Sequence, residues 1–309
     1  MKIAIVGAGI AGLSCAHMLH KIHDITVFES GSYLGGHTHT ASVHHEGREL
    51  AVDTGFIVFN ERNYPNFCKL LNQLGVASQP TTMSFSLRSD RTGLEYGGSG
   101  PRGILAQPSN LLRPSFVRML RDIARLGREG KALLATMDEH ATLADLCTSG
   151  RFSRGFLDHY LIPMGAAIWS APRDAMMNFP ARFFLRFFDN HGMLDLRERP
   201  QWRTITGGSA RYVEKLASPF LSRCRLNAQV RSVRRLASGV ELESPAGRET
   251  FDHVILALHA NDALSLLADP TNAEREVLSQ MPFQSNDAVL HTDDSVLPRR
   301  RAASRRRRC

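Results

Sequence analysis

The stretch Met1-Lys2-Ile3-Ala4-Ile5-Val6-Gly7-Ala8-Gly9-Ile10-Ala11-Gly12 decides the fold. Strand-forming residues run directly into Gly-x-Gly-x-x-Gly, and Ile10, Leu13, Ala16 and Leu19 then repeat at helical spacing. Each glycine answers a different steric demand. Gly7 lets the chain turn sharply out of the strand, Gly9 leaves backbone N–H groups bare for a pyrophosphate, and Gly12 lets the helix lie close to the sheet. The helix N-terminus, with Ile10 and Ala11 in its first turn, directs partial positive charge at the phosphates. A second apolar segment, Ile25 to Phe28, ends at Glu29, about 20 residues past the glycines, where a carboxylate can accept ribose hydroxyls. Strand, glycine turn, helix, strand and acid in this order predict an α/β, Rossmann-like dinucleotide-binding domain.

The next turn, Ser30-Gly31-Ser32-Tyr33-Leu34-Gly35-Gly36-His37-Thr38-His39-Thr40, carries a second glycine pair. It resembles the second fingerprint of the flavin-dependent amine oxidase and phytoene desaturase superfamily, an acid followed by Gly-Gly, commonly with Arg and then a small hydroxyl residue. His37 stands at the arginine position and Thr38 at the hydroxyl position. Gly-Gly alone fits an ordinary loop. Joined to the first fingerprint, the resemblance implies FAD rather than NAD, with Ser30, Gly35, Gly36, His37 and Thr38 beside the cofactor.

The resemblance extends from residue 1 to about residue 301, and within the superfamily it is to a bacterial group of predicted NAD/FAD-binding oxidoreductases. Val52-Asp53-Thr54-Gly55-Phe56 resembles the superfamily's Asp-x-Gly segment, which implies that Thr54, Gly55 and Phe56 bring backbone near the flavin. Trp202 to Ser209 and Tyr212 to Leu216 resemble the return to the FAD domain. A strand from Val230 follows, with Val230 implied at the adenine unless it is a plain strand residue. Gly239 to Glu243 alternates as another strand, and Phe251 to Leu258 reads as a buried parallel one. The implied fold is a glutathione-reductase-type FAD domain (1–59 and 202–260) with an inserted α+β substrate domain (60–201 and 261–298) and an Arg-rich tail (299–309).

Length and composition agree. A chain of 309 residues, 43% hydrophobic, can bury the cores of two domains. Its five cysteines are odd in number, scattered and without a Cys-x-x-Cys pair, which predicts reduced thiols in a cytoplasmic protein and no zinc site. The N-terminus is not read as a signal peptide, because the fingerprint glycines interrupt its apolar run. No apolar run reaches the ~18 residues of a membrane span.

The net charge of +8 comes mostly from Arg299, Arg300, Arg301, Arg305, Arg306, Arg307 and Arg308, so the body is nearly neutral. A nucleic-acid or anionic-lipid arm is one reading of that tail. The favoured one is a non-native ending, by truncation or frameshift, because the resemblance fades there. No Gly-rich return to the flavin follows residue 258, which puts FAD affinity in question. The end is expected to form helices from Asn261 to Leu267 and from Asn272, then an apolar strand start at Ala288-Val289-Leu290.

In the middle of the chain a helix is expected over Asn63 to Leu74, and strands at Ser84 to Arg88 and Leu94 to Tyr96. A further helix, Pro114 to Leu134, is expected to have an apolar side of Phe116, Val117, Leu120, Ile123, Ala124 and Gly127. Arg118, Arg121, Arg125 and Arg128 form a basic stripe, a solvated face or a peripheral contact with the inner membrane. Phe179 to Phe188, between Trp169 and Trp202, reads as core packing or as the wall of an apolar tunnel. Arg182 and Arg186, one helical turn apart, could grip an anionic substrate group. His37, His39, His44 and His45 lack a carboxylate at ligand spacing, so no metal is expected; His37 and His39 are candidate proton shuttles.

No catalytic side chain is assigned. The expected function is an FAD-dependent oxidoreductase taking hydride onto flavin N5 from an apolar, lipid-like or amine small molecule. The alternatives are a non-catalytic homologue with weak or no FAD binding and a surface binder acting through the arginine tail. Oligomeric state is left open.

Overall fold

The structure is a computed structural model that describes residues 1–98, 100–148, 151–195 and 200–303. Two compact units divide the chain. The first contains Met1–Val58, Asn66–Gln79 and Arg203–Leu290; the second contains Phe59–Pro65, Pro80–Trp202 and the described residues from His291. The segment 261–290 thus lies with the glycine fingerprints, where the sequence reading had grouped it with the substrate domain.

A four-stranded sheet organises the first unit. Strand β1 (Lys2–Val6) pairs in parallel with β2 (Asp24–Phe28) on one side and with His253–Leu256 on the other, and Cys224–Arg225 extends the sheet beyond β2. Ile3 to Val6 are all buried, as a central parallel strand covered on both faces requires. Helix α1 (Ile10–Leu19) returns over the sheet and buries Gly12, Leu13 and Ala16. An antiparallel ribbon, Ser232–Arg235, Val240–Ser244 and Gly247–Phe251, packs Val233, Leu242 and Phe251 against Ala4, Val6 and Phe28, the Phe28 and Phe251 rings meeting edge to face at 5.9 Å. Strands β3 (Thr40–His45) and β4 (Arg48–Asp53) form a separate antiparallel hairpin.

The expected single strand Phe251 to Leu258 is two elements. Phe251 ends the ribbon. Asp252 then redirects the chain, its N–H donating to the Lys2 carbonyl and its carboxylate accepting the Lys2 N–H at 2.7 Å. The parallel part, His253–Leu256, is the outermost strand, so Val254 to Leu256 are half-buried rather than buried. The strand expected from Val230 begins at Ser232. Helices form at Ala260–Leu266 and Asn272–Ser279, the second with a capping box between Thr271 and Glu274. Ala288 to Leu290 form no strand, and Val289 and Leu290 are exposed.

The second unit is mainly helical, with a hairpin of Ser86–Ser89 and Leu94–Gly97. Its long helix, Pro114–Thr136, buries Phe116, Met119, Asp122, Leu126, Gly130 and Leu133. That face is rotated from the expected one: Met119, Leu126 and Leu133 recur every seven residues, and Asp122 can be buried because its carboxylate accepts the Ser153 N–H at 2.9 Å. Arg118, Arg121 and Arg128 are exposed, while Arg125 pairs with Glu129. Helix Ala181–Asn190 buries Phe184, Leu185 and Phe188 in the same core. The arginine run begins packed on this unit: the Arg300 N–H donates to Glu95 at 3.1 Å and Ala303 is buried against Gly97. Arg305 to Arg308 lie outside the described residues. Among the described residues no helix is long and apolar enough to cross a membrane.

Candidate cofactor site

The two glycine turns meet at the C-terminal end of β1. Gly7 has φ +99°, and its N–H donates to the Phe28 carbonyl at 2.8 Å, tying the turn to β2. A β-carbon on Gly12 would stand 1.9 Å from the Gly7 carbonyl oxygen, so the close packing of α1 on the turn excludes every other residue there. Gly9 differs: it is the N-cap of α1, no side chain caps the helix, and a β-carbon on it would meet nothing within 4 Å. The helix N-terminus therefore opens onto bare space, with first-turn N–H groups that have no intrahelical acceptor.

The second fingerprint lies against the first. Gly35 bridges to Gly9, its N–H donating to the Ala8 carbonyl at 2.8 Å, and a β-carbon on Gly36 would come within 3.2 Å of the Gly9 Cα. Glu29, at the end of β2, is fixed by N–H donors from both turns: Ala8 at 2.9 Å and Gly31 at 2.7 Å, with the Ser30 hydroxyl at 3.3 Å. The sequence-chosen Gly7, Gly9, Ile10, Ala11, Gly12, Glu29, Ser30, Gly35 and Gly36 are thereby gathered at one place. The donor set fits a dinucleotide: an open amide-lined helix end for phosphates and a carboxylate beside it for ribose hydroxyls.

From Gly36 the chain runs alongside the Asp-x-Gly segment. Phe56 N–H donates to the His37 carbonyl at 3.1 Å, and Thr54 N–H to the His39 carbonyl at 2.9 Å. A β-carbon on Gly55 would fall 2.0 Å from the His37 oxygen, which explains glycine there. Thr54 Oγ1 and His39 Nδ1 share a 2.8 Å hydrogen bond. Thr38 is buried and hydrogen-bonded to the Tyr212 hydroxyl at 2.6 Å; burial pushes the Tyr212 phenol up, with Thr38 opposing and Asp53 adding to the shift. Tyr212 continues edge to face through Phe67 to Phe56.

Asp53 fixes the other side of this segment. Its Oδ1 accepts from Thr40 Oγ1 at 2.6 Å, Ser209 N–H at 2.8 Å and Ser209 Oγ at 2.7 Å, and Thr40 Oγ1 in turn accepts the Ala210 N–H at 2.9 Å. The β3–β4 hairpin is thus bound to the start of helix Ala210–Ala217. A groove of about 490 Å³ runs between that helix and the second fingerprint, lined by Tyr33, Leu34, Thr38, Val213 and Leu221 among others.

Val230 is buried with Phe251 and with Val6 and Phe28, the residues that precede Gly7 and Glu29. His44 and His45 are exposed on β3, and among the described residues no group of three or more His, Cys, Asp or Glu is placed to hold a metal ion. In the second unit Phe184 and Phe188 are core, while Trp169, Phe179, Phe183 and Phe187 form a partly exposed array with Trp169 to Phe187 at 4.9 Å. Arg186 is exposed, and Arg182 buries an Nε without a hydrogen-bond partner.

Sequence reasoning gave no role to Asp53, Ser209, Tyr212 or His259. The first three act through hydrogen bonds between distant segments, which no local pattern encodes. His259 did carry a signal: it follows the C-terminal end of a parallel strand, where ligands of open α/β sheets bind. Its ring stacks on His37 with centroids 5.6 Å apart.

Comparison with known proteins agrees with this geometry. AofH of Mycobacterium tuberculosis, which carries the name flavin-containing monoamine oxidase, is 26% identical over 288 residues, 87% of this chain and 59% of AofH. This chain therefore spans less than two thirds of that relative's length. A putrescine oxidase redesigned at its cofactor site superposes with a TM-score of 0.67 at 19% identity, covering 90% of this chain and 62% of its own. Cyclohexylamine oxidase from Brevibacterium oxydans gives 0.67 at 17% identity, with 90% and 62% covered. These structures share the FAD-binding fold. The profile for flavin containing amine oxidoreductase matches residues 10–303, and the chain belongs to that family, whose cofactor is FAD.

Proposed function

We propose that the chain binds FAD along the line from Glu29 through Gly9 and Gly36 to Phe56, and serves the oxidation of a small amine with an apolar body. The observation that carries this reading is the open β-carbon direction at Gly9 beside the Gly36 backbone, on a chain of the flavin amine oxidoreductase family. In this assignment the amides of the turn Gly7 to Gly12 and of Gly36 hold the pyrophosphate. Glu29 and Ser30 hold the ribose, Val230 lies toward the adenine, His37 stands beside Gly36 where the pyrophosphate gives way to the flavin arm, and Thr38, Thr54, Gly55 and Phe56 flank that arm.

FAD, when bound, supplies a two-electron acceptor for hydride. The residues of this chain orient it. The paired backbones of 37–39 and 54–56 give a fixed edge, and Asp53 and Tyr212 lock that edge from behind through Ser209 and Thr38. The names of AofH, putrescine oxidase and cyclohexylamine oxidase favour an amine. The aromatic array Trp169, Phe179, Phe183 and Phe187 supports an apolar substrate body and keeps a lipid-like substrate as the second reading. The free thiols of Cys15 and Cys224 agree with a cytoplasmic setting.

The test is the visible spectrum of the purified chain, with the released cofactor identified after denaturation. Near-stoichiometric FAD supports the reading, and anaerobic bleaching by amines, against unsaturated fatty acids, then decides the substrate class. A colourless protein that takes up no added FAD overturns it in favour of a non-binding homologue.

A further inference from the structure

His37 directly follows Gly36, the residue whose β-carbon position lies 3.2 Å from the Gly9 Cα. His259 follows Ala257 and Leu258, both of which touch the β-carbon position of Gly7, at 2.5 Å through the Ala257 oxygen and at 2.9 Å through Leu258 Cδ2. The two histidines, 222 positions apart in the chain, therefore flank the first glycine turn from its two neighbouring segments. Their rings are nearly parallel, at 17° with centroids 5.6 Å apart. Phe283 stacks on His259 at 4.0 Å and 4°, so the column His37–His259–Phe283 is held from one end by an apolar ring.

We propose that His37 and His259 act as one anion-binding pair for the dinucleotide's pyrophosphate, supplying the side-chain positive charge that the glycine turns lack. The inference rests on the FAD reading above and adds two specific residues and a pH dependence to it. No lysine or arginine stands in the stretches 3–20 or 29–47 that form the two turns, and of their histidines His17 and His20 lie in the last turn and C-cap of α1 and His44 and His45 at the far end of β3. Three carboxylates belong to the segments that carry the pair. Asp262, on the helix after His259, has Oδ2 3.8 Å from His259 Nδ1. Glu29 is bound by Ala8 and Gly31 N–H groups, and Asp53 by Thr40 and Ser209. His39, two residues past His37, is bound to Thr54.

Histidine changes charge between about pH 5 and pH 8, and only the imidazolium donates two charge-assisted hydrogen bonds. Protonation therefore favours the phosphate-bound state, and affinity falls as pH rises through that range.

The experiment is titration of the full chain with FAD and, separately, with ADP, which carries the pyrophosphate without the flavin, at about pH 6 and about pH 8. Both affinities are expected to fall by about tenfold on going to the higher pH, since a tenfold change is the scale of one charge-assisted contact. His37→Arg, with permanent charge, should reduce the dependence for both ligands to the part that His259 carries. His259→Gln should weaken both at the lower pH, with thermal midpoint and circular dichroism unchanged. FAD and ADP binding that is equally tight at both pH values overturns the pair while leaving the FAD site standing. Loss of FAD but not ADP affinity in His259→Gln also overturns it, placing the ring at the flavin. Wild-type protein that binds neither ligand overturns the FAD reading itself, and this inference with it.

Discussion

A β-carbon on Gly36 would stand 3.2 Å from the Gly9 Cα, whereas a β-carbon on Gly9 would meet nothing within 4 Å beyond its own chain neighbours. The second glycine turn is thus pressed onto the first, yet the first keeps one open direction at the N-terminus of α1. Protein packing explains Gly7 and Gly12, whose β-carbons would collide with the backbone. It does not explain Gly9, whose φ of −69° any residue can adopt. What remains is the space itself.

This asymmetry separates binding from folding by mutation. Gly9→Leu should leave the thermal midpoint within a few degrees of the parent, because its β-carbon enters open space, and should abolish FAD retention by filling the phosphate approach. Gly12→Ala should instead lower the yield of folded protein sharply, since its β-carbon would overlap the Gly7 oxygen at 1.9 Å. Absorbance of bound flavin and melting curves on both variants check the pair. A Gly9→Leu protein that holds FAD as tightly as the parent would remove the basis of the assigned site.

The hydrogen bonds at Asp53 predict a stability effect. One carboxylate oxygen collects three donors from Thr40 and Ser209. Asp53→Ala strands those groups in a half-buried setting and should cost about 2–4 kcal/mol in urea unfolding, at about 1 kcal/mol or more per unsatisfied group. Asp53→Asn retains an acceptor oxygen and should cost less. A loss within about 0.5 kcal/mol for the alanine variant, the range of an ordinary surface substitution, would mean that water replaces the carboxylate freely.

These two cases also mark what the sequence could and could not reveal. The glycine turns were legible because their steric demands are local: each glycine answers to atoms a few residues away or to a ligand of known shape. The first helix, the strand before Glu29 and the strand at Val240–Ser244 followed from the same short-range patterns, whereas the strand Gly247–Phe251 did not. The buried face of Pro114–Thr136 was misread because apolar spacing alone does not show that Ser153 satisfies Asp122 and so lets that side of the helix turn inward. The strand expected at Ala288 to Leu290 failed because a short apolar run needs a pairing partner, and none reaches it among the described residues. Asp53–Ser209, Thr38–Tyr212 and His37–His259 join segments more than 150 positions apart, a relation that only the folded chain supplies.

Burial pushes the Cys224 thiol up to about 11. The sign is that of a group whose charged form is disfavoured by lost hydration, so at neutral pH it stays protonated. Because the thiolate is the reacting species, alkylation of Cys224 at about pH 8 should be about 100-fold slower in the native chain than in the urea-unfolded chain. Its rate should keep rising tenfold per pH unit to about pH 11. Mass-spectrometric labelling kinetics of the Cys224 peptide measure this. Equal rates in the two states would show that the strand Cys224–Arg225 opens to solvent.

The buried hydroxyl pair Thr38–Tyr212 predicts coupling between stability and the flavin edge. Its oxygens lie 2.6 Å apart, and the Tyr212 ring continues through Phe67, at 5.2 Å, to Phe56 in the segment assigned to the flavin arm. Thr38→Val keeps the shape but leaves the Tyr212 hydroxyl buried without its partner, which should cost about 1–3 kcal/mol. Tyr212→Phe should cost less, because Thr38 can turn its hydroxyl toward another acceptor. Removing both groups should cost less than the sum of the single losses by about 0.5–3 kcal/mol, the coupling expected of residues in direct contact. Urea unfolding of the four proteins closes this cycle. If the two single losses simply add, the hydroxyls do not depend on each other, and the edge at Phe56 must be held by the Thr54–His39 bonds instead.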